Sequence, residues 1–196
     1  MFLSTACTPK HKLHVGLTLI EAIFTIAILG ILASLAVPNL GYLLVQRQGS
    51  LALQRLAHGI ILARSAAARS GDVAVLCPSI DGTSCGGLWH QGVLVFLDGN
   101  DNQTPDPQEQ RITRIQYEKL PGKITWRAFQ RKPFLQITPV GFTRYQNGNF
   151  TWCDDNRTSF SARQLVINRT GRVRYARDTD GDGLREGANG KPITCP

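Results

Sequence analysis

The chain of 196 residues is poor in the groups that most enzymes use for catalysis. It contains only four histidines, and it lacks a phosphate-binding glycine loop and a zinc-protease helix motif. His90, which follows Trp89, is interpreted as a packed or solvated loop residue rather than a catalytic base. We therefore expect a protein that is not an enzyme and needs no cofactor, and that acts by binding or by assembly.

Charged residues are nearly absent between Leu17 and Val37, where Glu21 is the only one. At about 1.5 Å per residue, a helix of these 21 residues would span the roughly 30 Å hydrocarbon core of a bilayer. Two lysines precede the stretch and predict an N-terminus on the cytoplasmic side. A single-pass anchor is one interpretation. A cleaved secretory signal is less consistent with the helix-like sequence that continues after Pro38. Glu21 suggests a further role, because an acid in a membrane segment usually has a partner.

The stretch Gly16-Leu17-Thr18-Leu19-Ile20-Glu21, followed by an apolar helix with Pro38, resembles the class III signal of type IV pilins and type II secretion pseudopilins. The resemblance implies that a prepilin peptidase cuts after Gly16 and methylates the new amine of Leu17. Leu17 departs from the family, in which phenylalanine is commoner at this position. Glu21 is expected to pair with the N-terminal amine of a neighbouring pilin during assembly. The implied organisation is a leader (1–16), a pilin helix (17–70, with 17–37 in the membrane or filament core) and a globular head (71–196).

Helical periodicity continues beyond Pro38 and ends at Gly71, a typical helix stop. An apolar stripe on this helix includes Leu51, Leu56 and Ile60. After Gly71 the pattern alternates as in strands, and this predicts an α+β fold of the type IV pilin kind, with the long N-terminal helix packed on a C-terminal antiparallel β-sheet domain. The predicted strands are 72–77, 92–97, 111–118, 123–127, 134–137, 150–152, 164–168 and 172–177.

Cysteine is also scarce, with one residue at Cys7 and four beyond the helix. An exported chain meets an oxidising compartment, so two disulfides are expected among the four. We favour Cys77 with Cys85, which closes a short glycine-rich loop, and Cys153 with Cys195, which ties down the C-terminal tail. The alternative is a zinc site of all four thiolates, but the gap between Cys77 and Cys85 exceeds the usual spacing of roughly two to four residues.

Motifs beyond the predicted helix narrow the resemblance to the FimT/GspH group of minor pilins and pseudopilins. That group implies a minor pilin that is first a single-pass inner-membrane protein with a periplasmic head. The protein then joins other pilins in an extracellular pilus. The motifs are Cys77-Pro78-Ser79, Cys85, Trp89, Gly92, Val95-Phe96, Asp98 and Gly171-Arg172-Val173-Arg174.

Acidic residues are absent from residues 157–177, where six arginines occur. The pattern predicts a β-hairpin with Arg169 at its turn and with Arg172 and Arg174 on one face of the returning strand, because side chains alternate along a strand. Guanidinium groups can bind phosphates bidentately, so this surface could follow a nucleic-acid backbone. The alternative is a solvated cationic strand that resists edge-to-edge aggregation.

Gly171-Arg172-Val173-Arg174, with Arg169 just before it, is similar to the Gly-Arg-x-Arg signature of FimT proteins that bind DNA during natural transformation. The resemblance implies weak, sequence-independent binding of double-stranded DNA by these residues, with Arg177 as a helper. Two other functions stay open. One is a structural minor pilin or a GspH-like pseudopilin of a type II secretion system without DNA binding, and the other is an adhesin for anionic polysaccharide.

Two acidic stretches begin like calcium loops, but each departs from the pattern. The stretch that starts at Asp178 has Asn189 at the twelfth position, where a glutamate is expected. Residues 98–109 have Gln103 in place of the glycine at the sixth position. Polar turns and calcium loops therefore both stay open for these stretches, and we assign no metal.

Overall fold

The computed structural model describes residues 16, 18–156 and 158–195, without the side chains of residues 35–39. The described chain forms two compact units, one up to Tyr42 and one from Leu43 onward. Its first element is the long helix α1, Leu19–Ser70, and a short 3-10 helix, Phe129–Arg131, lies between the fourth and fifth strands. The strands are β1 Val73–Pro78, β2 Gly92–Asp98, β3 Arg111–Gln116, β4 Lys123–Ala128, β5 Leu135–Ile137, β6 Gly148–Cys153, β7 Arg163–Ile167 and β8 Val173–Tyr175.

The unit up to Tyr42 contains the first part of α1. Thr18 caps this helix, because its hydroxyl oxygen accepts a hydrogen bond from the Glu21 amide at 3.3 Å and its carbonyl accepts one from the Ala22 amide at 3.1 Å. Apolar side chains such as Phe24 are exposed here. Among the residues that the structure describes, no helix is long and apolar enough to cross a membrane. Of the span predicted over 17–37, Leu17 and the side chains of residues 35–37 lie outside the description.

The unit from Leu43 onward contains two four-stranded antiparallel sheets, in the orders β3-β2-β1-β5 and β4-β6-β7-β8. The predicted strands are all present, within a few residues of their predicted bounds. The division of the strands into two sheets was not predicted. It follows from a pairing between distant segments, in which β1 takes β5 as its second neighbour and Ala74 lies opposite Ile137.

The second half of α1 packs into a single core with one face of each sheet. Leu53, Leu56 and Ile60 are each at most 1% exposed, and they belong to the same cluster as residues from both sheets, such as Val95 and Leu165. This packing places the end of the helix in the same unit as the strands. The predicted stripe is confirmed for Leu56 and Ile60. It is wrong for Leu51, which is 51% exposed.

Gly49 lets the helix approach the second sheet closely. It lies against the ring of the fully buried Trp152, and a Cβ atom at this position would clash with that ring. The Trp152 indole donates to the Pro121 carbonyl at 3.0 Å. Next to it in the core, Phe150 stacks on Trp126 with a centroid distance of 4.2 Å and meets Trp89 edge-on at 4.8 Å. The three tryptophans are thus packing residues.

Two disulfides link the loops of this unit. Cys77 is bonded to Cys85 and Cys153 to Cys195, which is the pairing favoured from the sequence. The second bond spans 42 residues and closes a loop that contains both β7 and β8. The C-terminal tail is therefore tied to the end of β6.

Candidate functional site

The basic stretch forms a hairpin with a well-defined turn. The Gly171 amide donates to the Asn168 carbonyl at 3.0 Å and the Asn168 amide donates to the Arg172 carbonyl at 3.1 Å. The Asn168 side chain accepts from the Arg172 amide at 2.9 Å. These three bonds fix the turn between β7 and β8, where the sequence predicted a turn. Across the strands, Leu165 lies opposite Tyr175, Val166 opposite Arg174 and Ile167 opposite Val173.

The hairpin register decides which side chains reach solvent. Residues directly opposite each other share a face of the sheet, and Leu165 and Ile167 are buried in the core. Arg174 lies opposite Val166, so it points to the other face and is exposed. Arg169, Arg172 and Arg177 are exposed as well.

The four exposed arginines have no acidic partner. Within the described residues, the one ion pair joins Arg144 to Asp101, so no carboxylate there pairs with Arg169, Arg172, Arg174 or Arg177. Their guanidinium groups are therefore available to an external anion.

Two other arginines of the stretch do not join this surface. Arg163 donates to the Gln46 side-chain oxygen on α1 at 2.6 Å and to the Ser161 carbonyl at 2.7 Å. This residue fastens the start of β7 to the helix. Arg157 lies outside the described residues.

Gly171 is placed by backbone geometry. Its φ of +68° lies in the left-handed region, and a Cβ atom there would clash with the Gly141 carbonyl oxygen. The Gly171 carbonyl accepts a hydrogen bond from the Arg64 guanidinium of α1 at 3.1 Å. Gly171 is buried, so its role in the predicted signature is to let the hairpin lie close to Gly141 and Arg64. The neighbouring arginines carry the exposed charge. Sequence reasoning missed Arg64, because nothing local signals a contact across 107 residues.

A second loop lies against the hairpin turn. The Thr143 amide and hydroxyl both donate to the Arg169 carbonyl, at 2.9 and 3.3 Å. The Arg169 guanidinium carbon stands 5.4 Å from the centroid of the Tyr145 ring, within the range of a cation–π contact. Sequence analysis had not connected Tyr145 with this surface.

A groove of about 690 Å³ runs beside β8, the edge strand of its sheet. Arg174 and Arg177 line it together with Tyr175, whose pKa is raised by burial. Glu186 lines the same groove. The groove is therefore cationic along β8 and acidic where Glu186 stands.

The acidic residues that follow the hairpin cluster in space. Carboxylate oxygens of Asp178, Asp180, Asp182 and Glu186 all lie within 4.8 Å of one another. Glu186 is at the ninth position of this stretch, which the sequence comparison with calcium loops did not consider. One Glu186 oxygen accepts from the amide and the hydroxyl of Thr179, each at 2.7 Å. An acidic cluster alone identifies no metal, but its charge opposes that of Arg177 nearby.

In the other acidic stretch, two carboxylates are bonded to backbone amides of the stretch itself. The two oxygens of Asp98, which is 2% exposed, accept from the amides of Asn102 and Gln103, each at 3.0 Å. Glu109 accepts from the amides of Gly99 and Asp106 at 2.9 and 3.1 Å. Asp98 and Glu109 thus stabilise the turn, whereas Asp101 pairs with Arg144 outside the stretch.

The predicted processing and assembly residues lie in or before the first unit. Gly16 is described and exposed, Leu17 lies outside the description, and Glu21 is exposed in the first turn of α1. Among the described residues, no group donates a hydrogen bond to the Glu21 carboxylate and no cation pairs with it.

Residues 52–171 match the family model described as type II transport protein GspH. The crystal structure of the type IV minor pilin FimU from Pseudomonas aeruginosa PAO1 matches with a TM-score of 0.50 at 16% identity, over 65% of this chain and 87% of that one. A second crystal form of the same protein matches with a TM-score of 0.49, also at 16% identity, over 65% and 92%. A search among curated proteins finds no match. At this identity the first of these structures establishes a shared pilin-like fold.

Proposed function

This chain belongs to the family of the type II transport protein GspH, and from that premise we propose that it is a minor type IV pilin that binds DNA for uptake in natural transformation. The family and the fold make it a minor pilin or a GspH-like pseudopilin. The DNA-binding surface would be the C-terminal hairpin, with Arg169, Arg172 and Arg174 as the main phosphate ligands and Arg177 as a helper.

One observation carries this proposal: three arginines are exposed on one hairpin without an acidic partner in the described chain. Each guanidinium can bind a phosphate with two charge-assisted hydrogen bonds. The turn bonds and Arg64 fix the backbone from which these arginines project. Contacts to phosphates carry no sequence information, and binding of double-stranded DNA would be independent of sequence.

The N-terminal segment would serve processing and assembly. In this proposal a prepilin peptidase cuts after Gly16, Leu17 receives the methyl group, and Glu21 pairs with the terminal amine of another pilin. The chain would begin in the inner membrane with its head in the periplasm and end in an extracellular pilus. The exposed apolar side chains of the first part of α1 support a role in contact with other pilin helices.

A second candidate is a purely structural pseudopilin without DNA binding. One feature of the family match favours this candidate. The match ends at residue 171, so Arg172 and Arg174 are not part of what the chain shares with the family model. In that case these arginines would contact a neighbouring subunit.

Fluorescence anisotropy with the purified full chain and a labelled duplex decides between the two. We expect the double variant Arg172→Ala/Arg174→Ala to bind every duplex sequence about tenfold more weakly, because two charge-assisted contacts are removed. Arg111→Ala is the matched control: it removes one exposed arginine from β3, in the other sheet, and should leave the affinity nearly unchanged. Equal affinities for all three proteins, with circular dichroism spectra unchanged, would reject the hairpin as the DNA site.

A further inference from the structure

Tyr145 is an aromatic residue left in solvent beside the hairpin. Its exposed fraction is 58%, which is high for a residue whose backbone lies between two anchored neighbours. Its one described ring contact is with the Arg169 guanidinium, at 5.4 Å. A ring and a guanidinium therefore stand together at the turn from which the phosphate-binding arginines project.

The backbone on both sides of Tyr145 is fixed. Arg144 before it forms the ion pair with Asp101, and this contact holds the pKa of Asp101 below its ordinary value. Gln146 after it is 3% exposed; its side chain accepts from the Gln136 amide at 2.8 Å and donates to the Gln136 side-chain oxygen at 3.0 Å. These contacts of Arg144 and Gln146 order the chain on both sides of Tyr145 and leave its ring in solvent.

Tyr145 itself has an unusual backbone conformation. Its φ of +62° lies in the left-handed region, where a bulky side chain is uncommon. Residues held in such conformations concentrate at sites where ligands are bound. Together with the anchored neighbours, the conformation indicates a side chain positioned for contact with something outside the chain.

We propose that Tyr145 and Arg169 form a stacking surface for an unpaired nucleobase, so that the hairpin prefers DNA with a single-stranded segment. The inference rests on the proposed function. Aromatic rings and guanidinium planes both stack on bases, and any base has a face to offer. The bases of an intact duplex are already stacked on each other, so only an unpaired base can use this surface. The arginines of β8 would hold the adjoining phosphates.

The test compares three labelled probes on the purified full chain: a blunt duplex, the same duplex with a short thymidine overhang, and the same overhang built from abasic sugar phosphates. The last two carry equal charge and differ only in the bases. We expect the native protein to bind the thymidine overhang about fivefold more tightly than the abasic one, from stacking of at least one base.

Two variants separate the ring from the backbone. Tyr145→Phe keeps the ring and should keep the preference. Tyr145→Asn removes the ring but tolerates a positive φ, so it should fold and treat the two overhangs alike.

Several results would overturn the inference. If Tyr145→Asn still prefers the thymidine overhang, the bases stack elsewhere. If it weakens binding of all three probes equally, Tyr145 only positions Arg169. If it leaves DNA binding unchanged but lowers incorporation of the protein into pili, the ring contacts another pilin. In these cases loss of duplex binding in the Arg172→Ala/Arg174→Ala variant would still support the proposed function. If the native protein binds none of the probes, the proposed function fails and the inference with it.

Discussion

At the scale of single residues, Gly171 explains how the hairpin meets the rest of the head. It adopts a left-handed conformation and lies against the Gly141 carbonyl. Its own carbonyl accepts from Arg64. No other residue type satisfies the conformation and the close approach together. Glycine is thus required at position 171 for structural reasons, and this position lies between two functional candidates, Arg169 and Arg172.

Substitution of Gly171 by alanine should lower the free energy of unfolding by more than about 1 kcal/mol, because the new Cβ is strained at positive φ and meets the Gly141 carbonyl. Gly181→Ala is the matched control, since Gly181 also has a positive φ, +83°, but no heavy atom within 4 Å of an added Cβ. Urea denaturation of both variants measures the difference. A loss no greater for Gly171→Ala than for Gly181→Ala would show that the contact with Gly141 costs nothing.

Sequence alone identified the charged residues of this site but not the residues that position them. Arg169, Arg172 and Arg174 stand in a local pattern of alternation, which the strand period makes readable. Arg64 and Tyr145 reach the hairpin from the helix and from the loop before β6. Their contacts depend on how distant elements pack, and no local pattern records that.

At the scale of elements, the hairpin is an edge of its sheet enclosed by a covalent loop. Only three residue pairs join β7 to β8, and a short edge strand of this kind opens easily. The bond between Cys153 and Cys195 closes the 42-residue loop that contains both strands. This disulfide, more than the strand pairing, should hold the hairpin in place.

The variant Cys153→Ala/Cys195→Ala should lose more stability than Cys77→Ala/Cys85→Ala. Loop-closure entropy gives about 4 kcal/mol for the longer loop and about 2.5 kcal/mol for the shorter one, where the sequence separations are 42 and 8. Cys77 and Cys153 are both buried, so the packing losses are comparable. Denaturant unfolding without reductant measures the two values, and a larger loss for the shorter loop would contradict the entropic argument.

Local patterns were sufficient for the elements but not for their assembly. β2 is buried along its whole length, and an uninterrupted apolar run of this kind is typical of a strand covered on both faces. The turn residues likewise marked the ends of the strands. The pairing of β1 with β5 divides the strands into two sheets, and it joins segments that share no turn. A pairing of that kind depends on the three-dimensional packing around α1.

At the scale of the whole molecule, the formal charge of +8 is unevenly distributed. The exposed arginines of the hairpin lie on one side of the Asp178 to Glu186 cluster, whose carboxylates repel phosphates. A polyanion is therefore expected to follow the hairpin and to avoid the loop that comes after it.

Binding of duplex DNA should weaken with salt in proportion to the phosphates neutralised. With Arg169, Arg172 and Arg174 as ligands, the slope of log K against log salt should be about −2.7, and about −0.9 in the Arg172→Ala/Arg174→Ala variant. Anisotropy titrations at several salt concentrations give both slopes. A slope that is the same in the two proteins would mean that other cations on the surface, and not these arginines, contact the phosphates.

The closed loop from Cys153 to Cys195 also has a mechanical consequence. A bound polymer under tension would pull on the turn at Arg172, and an open chain would transmit that load along one arm only, back through β7. Here the sulfur–sulfur bond returns the other arm to the end of β6 as well. The pulling force is therefore shared between the two chain segments that lead away from the turn. Neither segment has to separate from the sheet alone before the force reaches the rest of the sheet.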